Sequence, residues 1–262
     1  KGNRKTVNIT VEGPICVAAC TTQEKIYEDN ANRSLLIYID ESKEQDERIM
    51  EHQRKLSAGL INHKEEEAMK ERYKNMQRIL KPIQVRNPYA MELKIPEECF
   101  KPRRTHSHYL ATIEAVTFYH QYQCPEKTDP ETGEKYIETT LEHIEWTNKL
   151  VVEVLLRKAD ELTGACRNFF EKLKPWLKRV KKESFYAGEV RKAFRMSSSK
   201  TGRYIIELLK NGYIKKIGGD KYKKGYEYEI LSYEEYEQLK SKVYTVLDEI
   251  LEKLKKKYGN KN

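Results

Sequence analysis

The residues best placed to do chemistry lie between Ser197 and Lys224. "SSSKTGR" sets Ser198, Ser199, Lys200 and Arg203 at the head of one segment, and "IKKIGGDKYKKG" then supplies Lys215, Lys216, Lys221, Tyr222, Lys223 and Lys224. Hydroxyls that donate at short range and ammonium groups that act as point charges suit phosphate oxygens. No Asn or Gln and a single Arg are set to read base edges, so these residues predict binding governed by counterion release, sensitive to salt and weak in sequence preference. The charge distribution points the same way. Residues 181 to 226 hold thirteen Lys or Arg against four Asp or Glu, which is the whole net charge of +9, while the remaining residues balance at 37 against 37. A positive field confined to one segment is the footprint expected of a polyanion-binding surface, although lysine is also the ordinary solvated residue.

The elements that would hold these groups follow from periodicity. A helix with Phe169, Phe170, Leu173 and Leu177 precedes a second with Ala187, Val190 and Phe194 on one face. A third opens on serine caps, buries Tyr204, Ile205, Leu208 and Leu209, and stops at Asn211-Gly212. Strands "YIKKI" and "YEYEIL" follow, joined by a glycine-bounded turn. Three helices and a hairpin are the order of a winged helix, whose third helix enters the major groove while the hairpin touches the backbone beside it. Such domains also dock proteins.

Upstream, "GPICVAACTT" and "LLIYI" (35 to 39) read as two buried strands, and 43 to 58 and 63 to 80 as charged helices. Prolines 82, 88, 96 and 102 predict an irregular or extended connection. Two helices around a polar loop, "CPEKTDPETGEKY", form a small helical unit, the second opening at Thr140 with His143. From Ser232 a capping box leads into a final amphipathic helix, read as docking on its own domain rather than as a coiled coil.

Other chemistry is poorly represented. His106 and His108 face about 200° apart on a helix, and with His120 they lack a Cys or Asp at ligand spacing, so no metal site is expected. Five scattered cysteines read as reduced thiols. No apolar run approaches the roughly 18 residues of a membrane span, and no signal peptide follows Lys1; a cytoplasmic protein with no membrane partner is expected. The opening on Lys1 inside a strand-like stretch reads as a fragment of a longer protein.

"GPICVAACTT", "NRSLLIYIDESKEQDERIMEHQRK" and "RRTHSHYLATIEAVTFYHQ" together resemble, over about residues 1 to 165, the C-terminal half of an AAA+ ATPase of the minichromosome-maintenance type, especially the helicases and primase-helicases of mobile genetic elements. The resemblance implies a mostly α chain with a small α/β remnant: the end of an AAA+ core (1–60), a charged helix and Pro-rich connection (61–103), a helical lid (104–165), a winged helix (166–231), and a C-terminal helix and tail (232–262). It implies that Arg33, just before a core strand, is an arginine finger reaching a neighbouring subunit's ATP. By the same likeness Thr21 or Thr22 is the polar sensor and Arg104 the second sensor, with Arg103 competing. Each has a local alternative: Arg33 can pair with Asp29, Thr22 can begin a helix, and the two arginines can be solvated.

The sequence departs from that pattern at several points. Thr stands where the first sensor is usually Asn, Ser34 follows the finger where an aromatic is usual, and no Gly-x-x-x-x-Gly-Lys-[Ser/Thr] loop is present. ATP and Mg2+ are therefore expected in a parent protein and not on this chain alone. The expected partners are DNA and further copies of the full-length protein. The alternative is a non-enzymatic winged-helix protein, a replication initiator or transcriptional regulator.

Overall fold

The computed structural model describes residues 18–20, 33–37, 39–40, 42–222 and 224–259. Helix α1 (Lys43–Ser57) starts where the Ser42 side chain accepts from the Gln45 amide, and α2 (His63–Arg78) where Asn62 accepts from the Lys64 and Glu65 amides. Acidic residues occupy the first turn of each and basic residues the last, complementing the helix dipole. Neither helix buries a residue.

The chain then builds two cores. In the first, β1 (Gln84–Arg86) pairs in parallel with β3 (Lys135–Glu138), which pairs antiparallel with β2 (Lys127–Thr128). Helices α3 (Pro102–Tyr119) and α4 (Leu141–Ala159) pack beside this sheet, burying Tyr109, Ile113, Ile144, Val151 and Leu155. β1 is an extended piece of the proline-rich connection, and the sheet corrects the expectation of a plain polar loop. It forms because the Asp129 carboxylate accepts from the Glu131 and Thr132 amides while Gly133 adopts a φ of +70°, closing a turn that brings β2 onto β3.

The second core contains α5 (Gly164–Val180), β4 (Ser184–Tyr186), α6 (Ala187–Ala193), α7 (Ser198–Lys210), β5 (Ile214–Asp220) and β6 (Gly225–Ile230). Its antiparallel sheet has the order β4-β6-β5. Phe170, Leu173, Leu177, Phe185, Val190 and Leu208 are fully enclosed.

The last helix, α8 (Glu235–Tyr258), leaves the second core and returns to the first, where Val243, Leu247, Leu251 and Leu254 pack with the apolar face of α4. That corrects the expectation that it docks on the domain it follows. Between the cores lies a buried ionic cluster. Arg167 bonds Asp160 through two 2.8 Å contacts and Glu235 at 2.7 Å, and Lys174 bridges Glu171 and Glu235.

The start of the chain departs from expectation where it is described. Residues 35–37, 39 and 40 form no strand, and Ile37 and Ile39 are 86% and 82% exposed. A strand apolar on both faces is buried only with neighbours at its edges and layers above and below, and nothing described covers these side chains. The described part of 1–60 thus shows no α/β core; the described residues are mostly helical, with two small three-stranded sheets. Among the described residues no helix is long and apolar enough to cross a membrane.

One buried group ties stability to pH. At the head of α4 the His143 ring Nδ1 accepts from the Thr140 amide at 3.2 Å, while Thr140 Oγ1 accepts from the His143 amide at 3.3 Å. Burial, reinforced by His120 nearby, lowers the His143 pKa, and the ring is stacked among His120 and Trp146. The unfolded chain then binds a proton that the folded chain resists, so the contribution is complete above the ordinary value of about 6.5 and is lost as pH falls below it. A thermal midpoint that drops between about pH 7 and about pH 5.5 is expected. Glutamine at 143 keeps the acceptor without titrating, so H143Q should flatten the drop.

Candidate nucleic-acid interface

Helix α7 starts from a defined cap: Ser197 Oγ accepts from the Lys200 amide at 3.3 Å, and Thr201 Oγ1 donates to the Ser197 carbonyl at 3.0 Å. Before it, Arg195 at a φ of 52° reverses the chain after α6. Thr201, Tyr204, Ile205 and Leu208 face the core. The outward face therefore carries Ser199, Arg203, Ile206 and Lys210, at helical spacings of four, three and four residues. Ser198 and Lys200 are exposed in the first turn, with the Lys200 ammonium 5.7 Å from the Tyr204 ring centre.

Gly212, at a φ of +72°, turns the chain from α7 into β5. Because β4 pairs with β6 only over Glu227 to Glu229, the pairs Gly219 with Tyr226 and Asp220 with Gly225 stand beyond it as a two-stranded ribbon. A bulge between Lys216 and Gly218 leaves Ile217 half exposed. Gly219, with φ at +86°, lies so near the opposite strand that a Cβ there would sit 2.3 Å from the Gly225 carbonyl oxygen, so only glycine fits. At the tip Asp220 Oδ1 accepts from the Tyr222 amide at 2.9 Å. Lys221, Tyr222 and Lys224 are exposed, and Lys223 lies outside the described residues.

Two of the four acidic residues of this segment are engaged away from the ribbon, while Asp220 sits at its tip. Glu207 accepts from the Thr163 amide and hydroxyl at the head of α5, and Glu189 pairs with Lys182, which lowers its pKa. Lys215, however, lies 2.9 Å from Glu229, and Lys216 packs over the Tyr226 ring, 3.2 Å from its centre. Lys200, Arg203, Lys221 and Lys224 are thus exposed, with Ser198 and Ser199 beside the first two, and Lys215 is exposed and paired with Glu229.

Sequence reasoning overlooked Ile206, 66% exposed, and Lys210 on the same face of α7. Their spacing from Arg203 was the available signal. It also overlooked the exposed Arg191 and Lys192 on α6.

The residues singled out for nucleotide chemistry are placed differently. Arg33 is exposed, and Arg104 and Arg103 are both exposed in the first turn of α3. Thr21 and Thr22 lie outside the described residues. The histidines have ordinary partners: His106 Nε2 contacts the Leu93 carbonyl, His108 contacts Lys158, and His120 donates to the Val116 carbonyl. Among the described residues no group of three or more His, Cys, Asp or Glu side chains is arranged to hold a metal ion.

No family model matches this chain, and no curated protein or solved structure matches it.

Proposed function

We propose that this chain is the DNA-engaging C-terminal portion of an ATP-driven DNA helicase, with residues 166–231 acting as a winged helix. The observation that carries the DNA-binding part is the exposure of Lys200 and Arg203 on α7 and of Lys221 and Lys224 at the end of the projecting ribbon, while Glu207 and Glu189 are tied to other groups. In this reading the first half of α7 enters the major groove and its serine hydroxyls donate to phosphates. The ribbon lies along the neighbouring backbone. Ile206 offers only an apolar contact, which suits a thymine methyl and little else.

The motor part of the reading rests on the resemblance to minichromosome-maintenance-type ATPases. A finger residue must present its guanidinium outward to a neighbouring subunit, and Arg33 is exposed, as that role requires. There it would neutralise charge on the oxygens of a phosphoryl group under transfer. ATP with its Mg2+ would be held by a phosphate-binding loop, which these 262 residues lack. A homo-oligomer follows, since finger and loop come from different subunits.

The second reading, a non-enzymatic replication initiator or transcriptional regulator, is favoured by one observation: Ile37 and Ile39 are exposed where a core strand would enclose them.

Two measurements test the proposal. Titration of the full chain against labelled duplexes of unrelated sequence should give affinities within about threefold of one another; one sequence bound about 10³-fold more tightly would contradict a phosphate-dominated grip. On the protein that carries the phosphate-binding loop, Arg33→Ala should lower hydrolysis by about 10³-fold or more while nucleotide affinity stays within about twofold. Equal loss of both would make Arg33 structural, and no hydrolysis by the parent would leave the non-enzymatic reading standing.

A further inference from the structure

The tip of the β5–β6 ribbon carries an aromatic ring where neither folding nor solubility calls for one. Tyr222 is 90% exposed, next to Lys221 and two residues from Lys224. Of the aromatic residues in this half of the chain, Phe169, Phe170, Phe185, Tyr204 and Tyr228 are buried, so the ring at 222 stands apart. Its position is fixed from both sides. The Asp220 carboxylate holds the Tyr222 amide, and the close approach of Gly219 to the Gly225 backbone locks the ribbon beneath it. At about 3.3 Å per residue, the ribbon and its turn carry the ring on the order of 10 Å beyond the end of β4.

A flat ring held in water between cations is complementary to a base face with phosphates close by. Stacking on it contributes through the π-surface and the lysines through charge. In an uninterrupted duplex every base face is already covered by its neighbours, so a hairpin tip reaches only backbone and groove edges. Base faces become available where strands part. We infer that Tyr222 is a base-stacking residue and that the preferred ligand of this surface is a junction between double- and single-stranded DNA rather than continuous duplex. This rests on the DNA-binding reading above and specifies its substrate.

The test compares two ligands: a fork of about 20 base pairs with unpaired tails and 2-aminopurine at the first unpaired position, and a dumbbell duplex of the same length with both ends closed. The full chain should bind the fork about tenfold more tightly and change the 2-aminopurine fluorescence. Tyr222→Ala should remove that preference and the fluorescence change, costing fork affinity about tenfold more than dumbbell affinity, whereas Tyr222→Trp should keep both. Because the side chain is exposed, the thermal midpoint of each variant should match the wild type. Fork binding and fluorescence unaltered in Tyr222→Ala, or equal losses on fork and dumbbell, would overturn the inference while leaving DNA binding intact. Absence of binding to either ligand by the wild-type chain would overturn the DNA-binding reading itself.

Discussion

Replacing Lys200, Arg203, Lys221 and Lys224 together by Ala is expected to weaken duplex binding by about 10⁴-fold at about 50 mM salt, with little effect near 1 M. Each neutralised phosphate contributes about 0.9 to the slope of log K against log salt, which between these concentrations amounts to about a factor of ten per contact. The four side chains lie on the exposed face of α7 and at the ribbon tip. Their loss should therefore leave the fold in place, with a thermal midpoint close to wild type. The same substitutions at Lys172, Lys240, Lys242 and Lys253, cations of α5 and α8, should change binding by less than about tenfold, because net charge alone acts at long range and is screened. Equal losses from the two sets would mean that the chain binds DNA through its overall charge and not through this surface.

The second large effect concerns the join between the cores. Arg167→Ala is expected to destabilise the chain by about 3–5 kcal/mol, read from urea unfolding. Arg167 is 2% exposed; its guanidinium donates to Asp160 through Nε and Nη2 and lies 4.5 Å and 4.9 Å from the ring centres of Tyr236 and Tyr213. Removing it leaves the Asp160 carboxylate buried without its counter-charge at the end of α4, and leaves Glu235 at the head of α8 held by Lys174 alone. Since α8 begins at this cluster and ends against α4, the same change should loosen the second core from the first. Lysine cannot restore the two-pronged geometry, so Arg167→Lys should recover less than half of the loss. A cost below about 1 kcal/mol for Arg167→Ala would show that the cluster is hydrated and contributes little.

The second core was legible because its signals are local. Serine at the head of α7, Asn211-Gly212 at its foot and the glycines around the hairpin turn each specify a boundary within a few residues, and the buried stripe of α7 follows the 3.6-residue period. The first core was less legible. β1 and β3 meet across about fifty residues in a ladder of only three pairs, too short to leave an alternating pattern. The apolar stripe of α8 said that the helix is covered without saying by what. "LLIYI" misled for the opposite reason, since apolar content predicts burial only where partner layers exist. Arg167 left a trace that went unread: with Phe170, Lys174 and Leu177 it falls on the buried face of α5 at helical spacing, where two charged residues demand partners. Of the proposed interface, charge located the segment, but only the structure shows that Lys215, exposed like Lys221 and Lys224, has Glu229 beside it.

In the proposed function α7 and the β5–β6 ribbon grip a phosphate backbone, and the salt dependence of binding reads how many phosphates are gripped. With the full chain and a closed duplex, log K against log salt should fall with a slope of about −4, and the quadruple alanine variant should bring it close to zero. A wild-type affinity indifferent to salt, or a variant whose slope equals that of the wild type, would contradict the account.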